Sequence, residues 1–157
     1  MKFSNNRQSI HVAMMGIAQV MSTRSTCRRR RVGAVITNKK NQILSTGYNG
    51  VPAGWVHCID VACSGASESS GINLDLCESV HAEANAVVQC GNINDAHNIY
   101  ITTLCCVSCI KLLLNTPIKD IYYCEDYPHG VKTKEYWLKN DRRLIHINSP
   151  IINLNHV

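Results

Sequence analysis

The chain has 157 residues, 45% of them hydrophobic, with 16 Lys and Arg against 11 Asp and Glu for a net charge of +5. This describes a single globular domain with a sizeable core and no need for a second one. Nine cysteines, a high and odd number without a recognisable leader, point away from a secreted disulfide framework and toward metal binding or buried thiols in a reducing, cytoplasmic setting.

Ile10, Met14, Ile17 and Met21 recur at helical spacing, interrupted by His11, Gly16 and Gln19. They predict an amphipathic helix from about Asn6 to Ser22 rather than a signal peptide or membrane span. Much of the positive charge then sits in Arg28-Arg29-Arg30-Arg31. Such a run can be a nucleic-acid patch, a solvated turn or part of a phosphate pocket, and it is too short and isolated to imply duplex binding. Val32 to Thr37 and Gln42 to Tyr48 read as two strands of a hairpin turning at Asn38–Asn41. Gly47 to Gly54, with three glycines and a proline, breaks the second strand and can bring backbone close to a ligand.

From Ala62 to Leu76 the chain is rich in small residues with no period, which predicts a long loop of functional weight. A helix is expected from His81 to Cys90, ended by Gly91. A buried strand follows over Asn98–Leu104, and then a helix from Cys106 to Asn115 with Leu112, Leu113 and Leu114 inward, stopped by Thr116-Pro117. Ile118–Cys124 and Arg143–Ile147 read as strands either side of a short helix over Val131–Lys139. Strands alternating with helices after the hairpin imply a mixed, largely parallel sheet covered on both faces. Residues 149–157 are expected to fray or to pack on a neighbouring subunit.

Two segments carry the chemistry, Val80-His81-Ala82-Glu83-Ala84-Asn85-Ala86 and Thr103-Leu104-Cys105-Cys106-Val107-Ser108-Cys109. His81, Cys106 and Cys109 offer one imidazole and two thiolates, three ligands for a zinc ion whose fourth position is left to water. Cys106 and Cys109 share a helix face near the positive end of its dipole, which favours thiolate. His81 and Glu83, two apart, face the same metal only if His81 stands at the helix start. Glu83 then lies beside the water as a proton carrier, the arrangement for hydrolytic deamination. The alternative is a four-coordinate structural zinc with Glu83 on a solvated face.

These motifs resemble the H-x-E and P-C-x-x-C signature of zinc deaminases, with Cys105 where that pattern has proline. Cys105 is thereby a potential rival ligand, although its adjacency to Cys106 makes joint binding awkward. Three further segments narrow the resemblance to the deoxycytidylate (dCMP) deaminases within the cytidine deaminase superfamily. They are Ser25-Thr26-Cys27-Arg28-Arg29-Arg30-Arg31-Val32-Gly33-Ala34, Gly47-Tyr48-Asn49-Gly50 and Tyr122-Tyr123-Cys124-Glu125-Asp126-Tyr127.

The resemblance implies a three-layer α/β/α fold around a central five-stranded mixed sheet and hydrolytic deamination of dCMP. It implies Asn49 on the substrate sugar, Tyr127 near the pyrimidine, Arg29 on the 5′-phosphate, and Ala82 among the substrate-binding residues. It places Cys27, Cys58, Cys63 and Cys77 where a second, structural zinc is held, with His57 as a substitute ligand. Cys90, Cys105 and Cys124 are left as buried small hydrophobes. A homo-oligomer, a hexamer in many members, regulated by dCTP and dTTP near Gly47–Gly54, is implied as well, and an infected host cell is one possible setting. A tRNA adenosine deaminase, a free cytidine deaminase, a dCTP-accepting enzyme and a non-catalytic nucleotide-binding module remain as alternatives. No nucleic-acid or membrane partner is expected.

Overall fold

A computed structural model describes residues 7–149. Nine regular elements run in the order α1 (Ile10–Ser22), β1 (Gly33–Thr37), β2 (Ile43–Tyr48), α2 (Ala82–Val88), β3 (Asn98–Thr103), α3 (Val107–Leu114), β4 (Asp120–Glu125), α4 (Gly130–Leu138) and β5 (Arg143–His146). The strands form one sheet of order β2-β1-β3-β4-β5. β1 is antiparallel to both β2 and β3, whereas β3, β4 and β5 run parallel. The sheet is therefore evenly mixed and not largely parallel, because the opening hairpin joins the parallel part through its first strand.

α1 covers one face, where Met14, Met15 and Ala18 meet Val35, Tyr100 and Tyr122. α2, α3 and α4 cover the other, over Ala34, Ile36, Ile99, Ile101, Ile121 and Tyr123. The three layers follow from the strand pattern: all five residues of β1 and all six of β3 are buried, as central strands covered on both sides must be. The buried stripe of α1 is Met14, Met15, Gly16 and Ala18, rotated from the expected one, and Ile10 is exposed. In α3 Leu113 is buried and Leu112 is exposed, correcting the inward trio; three consecutive residues span most of a helix circumference and cannot share one face.

The expected helix start at Asn6 lies outside the described residues, and so does the tail beyond Ser149, whose hydroxyl accepts a hydrogen bond from the Gln19 amide. α2 stops at Val88, before Cys90. Two short 3₁₀ turns, Leu74–Leu76 and Ile93–Asp95, were not legible in the sequence.

One close approach fixes where α2 begins. A methyl group on Gly47 would stand 2.2 Å from the Ala82 carbonyl oxygen, so β2 and α2 touch backbone to backbone at that residue. Within Gly47–Gly54, Gly47 itself makes room for a helix. Beyond β2, Gly50 and Val80 exchange backbone hydrogen bonds of 3.1 and 2.9 Å, which anchors the residue before His81.

Candidate functional site

His81 is the N-cap of α2, in extended conformation with φ −71° and ψ 154°. Its ring therefore lies off the helix end, while Glu83 occupies the first turn. Across the core, Cys106 is the N-cap of α3 and Cys109 lies in its first turn. The two helix starts bring His81 Nδ1 to 3.5 Å from Cys106 Sγ and 3.4 Å from Cys109 Sγ. Zinc–nitrogen and zinc–sulfur bonds of about 2.05 and 2.3 Å at a tetrahedral angle require a separation of about 3.6 Å. The donor set thus fits a zinc ion, with all three ligand atoms within 4.8 Å of one another. Among the described residues it is the single such group of three His, Cys, Asp or Glu.

Electrostatics favour the same use. The Cys106 thiol is drawn down to about 4, first by a hydrogen bond from Cys109 and then by His81, against its burial. The same Cys106–Cys109 bond, with burial, holds the Cys109 proton on. His81 is raised, chiefly by its bond with Cys106. Glu83 is only 3% exposed. Burial raises its pKa, with partial relief from the positive charge of His81, so this carboxyl readily holds a proton. Cys105 is buried and its thiol is pushed well up by that burial. It lies outside the three-donor group, in the core among Leu104, Ile110 and Leu113.

A cleft of about 580 Å³, counting the open space at its mouth, is lined by His81 and Glu83. Asn49, Ala82, Arg29, Tyr127 and Cys106 all line it. The Asn49 amide is engaged at both ends: Oδ1 accepts from the Val32 N–H at 2.8 Å and Nδ2 donates to the Arg30 carbonyl at 2.8 Å. It clamps the arginine loop, and one amide hydrogen and one lone pair are left over. Ala82 opens α2, so its N–H has no acceptor within the helix.

Within the arginine run, Arg28 and Arg31 are exposed, and Arg29 and Arg30 line the cleft. Each of these two has a buried Nη1 without a protein partner, as Arg142 has at Nε away from the cleft. Arg29 Nη2 donates to the carbonyls of Ser69 and Ile72. Arg30 faces Glu125 at 3.7 Å. The sequence missed Arg30 and Glu125; a run of four identical residues gives no signal for which of them turn inward.

Cys27, Cys58, Cys63 and Cys77 lie in one neighbourhood, although no three of their sulfurs stand within 4.8 Å of one another. Cys58 and Cys63 Sγ are 3.6 Å apart, and Cys77, held up mainly by burial, feels Cys27 and Cys63 as near neighbours. The Cys63 thiol is lowered by hydrogen bonds led by the backbone of Glu78. His57 is exposed. Of the cysteines expected to be buried, Cys105 is, whereas Cys90 and Cys124 are half-buried.

The sequence profile of the cytidine and deoxycytidylate deaminase zinc-binding region matches residues 8–125. The chain is 39% identical over 116 residues to ComE operon protein 2 of Bacillus subtilis, across 72% of this chain and 58% of that protein. It therefore spans little more than half of that relative's length. It is 37% identical over 117 residues to the deoxycytidylate deaminase of Mycobacterium phage D29, across 69% of this chain and 89% of the phage enzyme. The solved dCMP deaminase of cyanophage S-TIM5 in complex with dCMP and dUMP superposes with a TM-score of 0.74 at 25% identity, covering 90% of this chain and 98% of that one.

Proposed function

From its membership of the cytidine and deoxycytidylate deaminase family, we propose that the chain hydrolyses dCMP to dUMP and ammonia at the centre formed by His81, Cys106, Cys109 and Glu83. The observation that carries this reading is a buried carboxylate beside a three-donor metal set, at one end of a cleft whose walls also hold two unpartnered arginine N–H groups. The names of the phage relatives and the nucleotides in the cyanophage complex support dCMP as the substrate.

His81, Cys106 and Cys109 would hold a zinc ion, which would supply the Lewis acidity that lowers the pKa of the attacking water toward neutrality. Glu83 takes one proton of the attacking water and delivers it to N3 of the ring; it then takes the second from the new C4 hydroxyl and delivers it to the amine, which leaves as ammonia as the C4 carbonyl forms. Its burial suits both halves of that task, because a carboxyl whose pKa is raised by desolvation is a stronger base toward the water and holds the proton for delivery. The Ala82 N–H is free for the ring carbonyl and Tyr127 flanks the pyrimidine. Asn49 offers its remaining hydrogen and lone pair to the sugar hydroxyl, and Arg29 binds the 5′-phosphate.

Cys27, Cys58, Cys63 and Cys77 are proposed to close a structural zinc at the base of the loop over residues 62–76. A homo-oligomer, hexameric by family likeness, is supported by the exposed apolar side chains of Trp55, Val56, Ile59 and Val61. The same likeness suggests effector binding of dCTP and dTTP near Gly47–Gly54. No helix among the described residues is long and apolar enough to cross a membrane.

Ammonia release from dCMP, dCTP, deoxycytidine, cytidine and a tRNA, with and without dTTP, tests the reading. dCMP should be the preferred substrate; no release from dCMP would defeat it.

A further inference from the structure

Of the segment Val80–Ala86, the site uses His81, Ala82 and Glu83 and leaves Asn85 without a role. Asn85 is half-buried on α2 and does not line the cleft. Its backbone N–H closes the start of the helix on the His81 carbonyl at 3.0 Å. Its side chain reaches the other way: Nδ2 donates at 2.8 Å to the carbonyl of Tyr48, the last residue of β2 and the one before Asn49. On the far side of Asn49, Gly50 exchanges backbone hydrogen bonds with Val80, the residue before His81. Asn49 is therefore held between two attachments to the chain that carries the metal ligand and the acid.

We propose that Asn85 is a positioning residue, which sets Asn49 against the His81–Glu83 centre so that the sugar hydroxyl is engaged when the ring stands at Glu83. The inference rests on the dCMP reading above. The Gly50–Val80 pair is one attachment, about which the Tyr48–Asn49 peptide can pivot. The Asn85 amide is the second, and two attachments fix an orientation where one cannot. A donor is needed at this point: Gly33, opposite Tyr48 in the sheet, gives its N–H to Thr102 Oγ1, and β2 is an edge strand, so the Tyr48 carbonyl is served from outside the ladder. Ser45 also ties β2 to α2, its hydroxyl donating to the Ala86 carbonyl at 2.7 Å. That bond lies four residues before Asn49 and secures packing without setting the angle of Asn49.

The test is kcat/KM for dCMP against 2′,3′-dideoxy-CMP, which lacks the sugar hydroxyl, in proteins of measured Tm and zinc content. The wild type should favour dCMP by at least about tenfold. Asn85→Ala should shrink that preference at least about threefold, and Asn85→Asp, which keeps the shape but loses the donor, by as much. Ser45→Ala should lower Tm and keep the preference within about twofold of wild type. In an Asn49→Ala background, Asn85→Ala should alter the preference by less than about twofold, because its effect passes through Asn49. Calorimetric binding of dUMP and 2′,3′-dideoxy-UMP should show the same loss of discrimination without turnover. An unchanged preference in zinc-replete Asn85 variants, an equal loss in Ser45→Ala, or additive effects of the Asn49 and Asn85 changes overturns the inference. Failure of both Asn85 variants to fold overturns it too, since Asn85 would then serve folding alone. No turnover of dCMP by the wild type brings down the substrate reading and this inference with it. Turnover of dCMP without preference for the hydroxyl brings down the placing of Asn49 and this inference, and leaves the substrate standing.

Discussion

Gly47→Ala tests whether the fold places the chemistry as described. The added methyl would lie 2.2 Å from the Ala82 carbonyl oxygen, 2.6 Å from the Ala86 nitrogen and 3.0 Å from Ala86 Cβ. Two of these three atoms are helix backbone, so no side chain can swing aside, and α2 must withdraw by about 1 Å to restore ordinary contact. Overpacking of this kind costs about 1–3 kcal/mol. Removing a glycine from a strand returns about 0.5–1 kcal/mol. The net loss of up to about 2.5 kcal/mol corresponds to a fall in Tm of up to about 10 °C for a domain of this size. Function should suffer more than stability. His81 caps α2 and Glu83 is in its first turn, and a misplacement of about 1 Å at reacting groups costs about 100-fold in rate. Calorimetry and dCMP turnover on the same zinc-quantified sample measure both. A variant with unchanged Tm and turnover within about threefold of wild type would refute the claim that this contact positions the site.

Two further changes probe the scaffold and the second cysteine cluster. Arg142 donates to the carbonyls of Leu113, Leu114, Thr116 and Ile118 and lies over the Trp137 ring at 4.7 Å, which closes the C-terminal end of α3. Arg142→Ala should lower stability by about 2–4 kcal/mol in a denaturant melt, since it strips partners from several helix-end carbonyls at once. A loss below about 0.5 kcal/mol would mean that water replaces the guanidinium without cost. Purified protein should carry two zinc ions per chain by elemental analysis. Cys63→Ser should reduce that to one and lower Tm while the remaining ion still supports turnover. A single zinc in the wild type would remove the structural site.

The short-range part of the site was legible because metal chemistry imposes spacing. His81 and Glu83, two positions apart, can face one metal only from a helix start at His81, and Cys106 and Cys109, three positions apart, put both thiols on one face. Alternation and β-branched runs located all five strands, because buried central strands leave a strong compositional trace. The tertiary part was not legible. Nothing local distinguishes Arg29 and Arg30 from Arg28 and Arg31; the loop over residues 62–76 and Glu125 decide which turn inward. Gly47 read as a strand breaker because its partner, the Ala82 carbonyl, lies far away in sequence. Leu112 read as core because an apolar run conceals which residue of a helix turn faces water. Asn49 was found as a cleft residue, but its clamp on Arg30 and Val32 is visible only once the two loops are adjacent.

The central claim is that a buried acid beside a His-Cys-Cys metal set moves the protons of a deamination. Glu83→Gln removes the transferable proton with little change in volume and leaves His81, Cys106 and Cys109 intact. Ammonia release from dCMP by the zinc-loaded variant should fall by about 100- to 10,000-fold, with zinc content and Tm near wild type. Turnover within about tenfold of wild type would contradict the account.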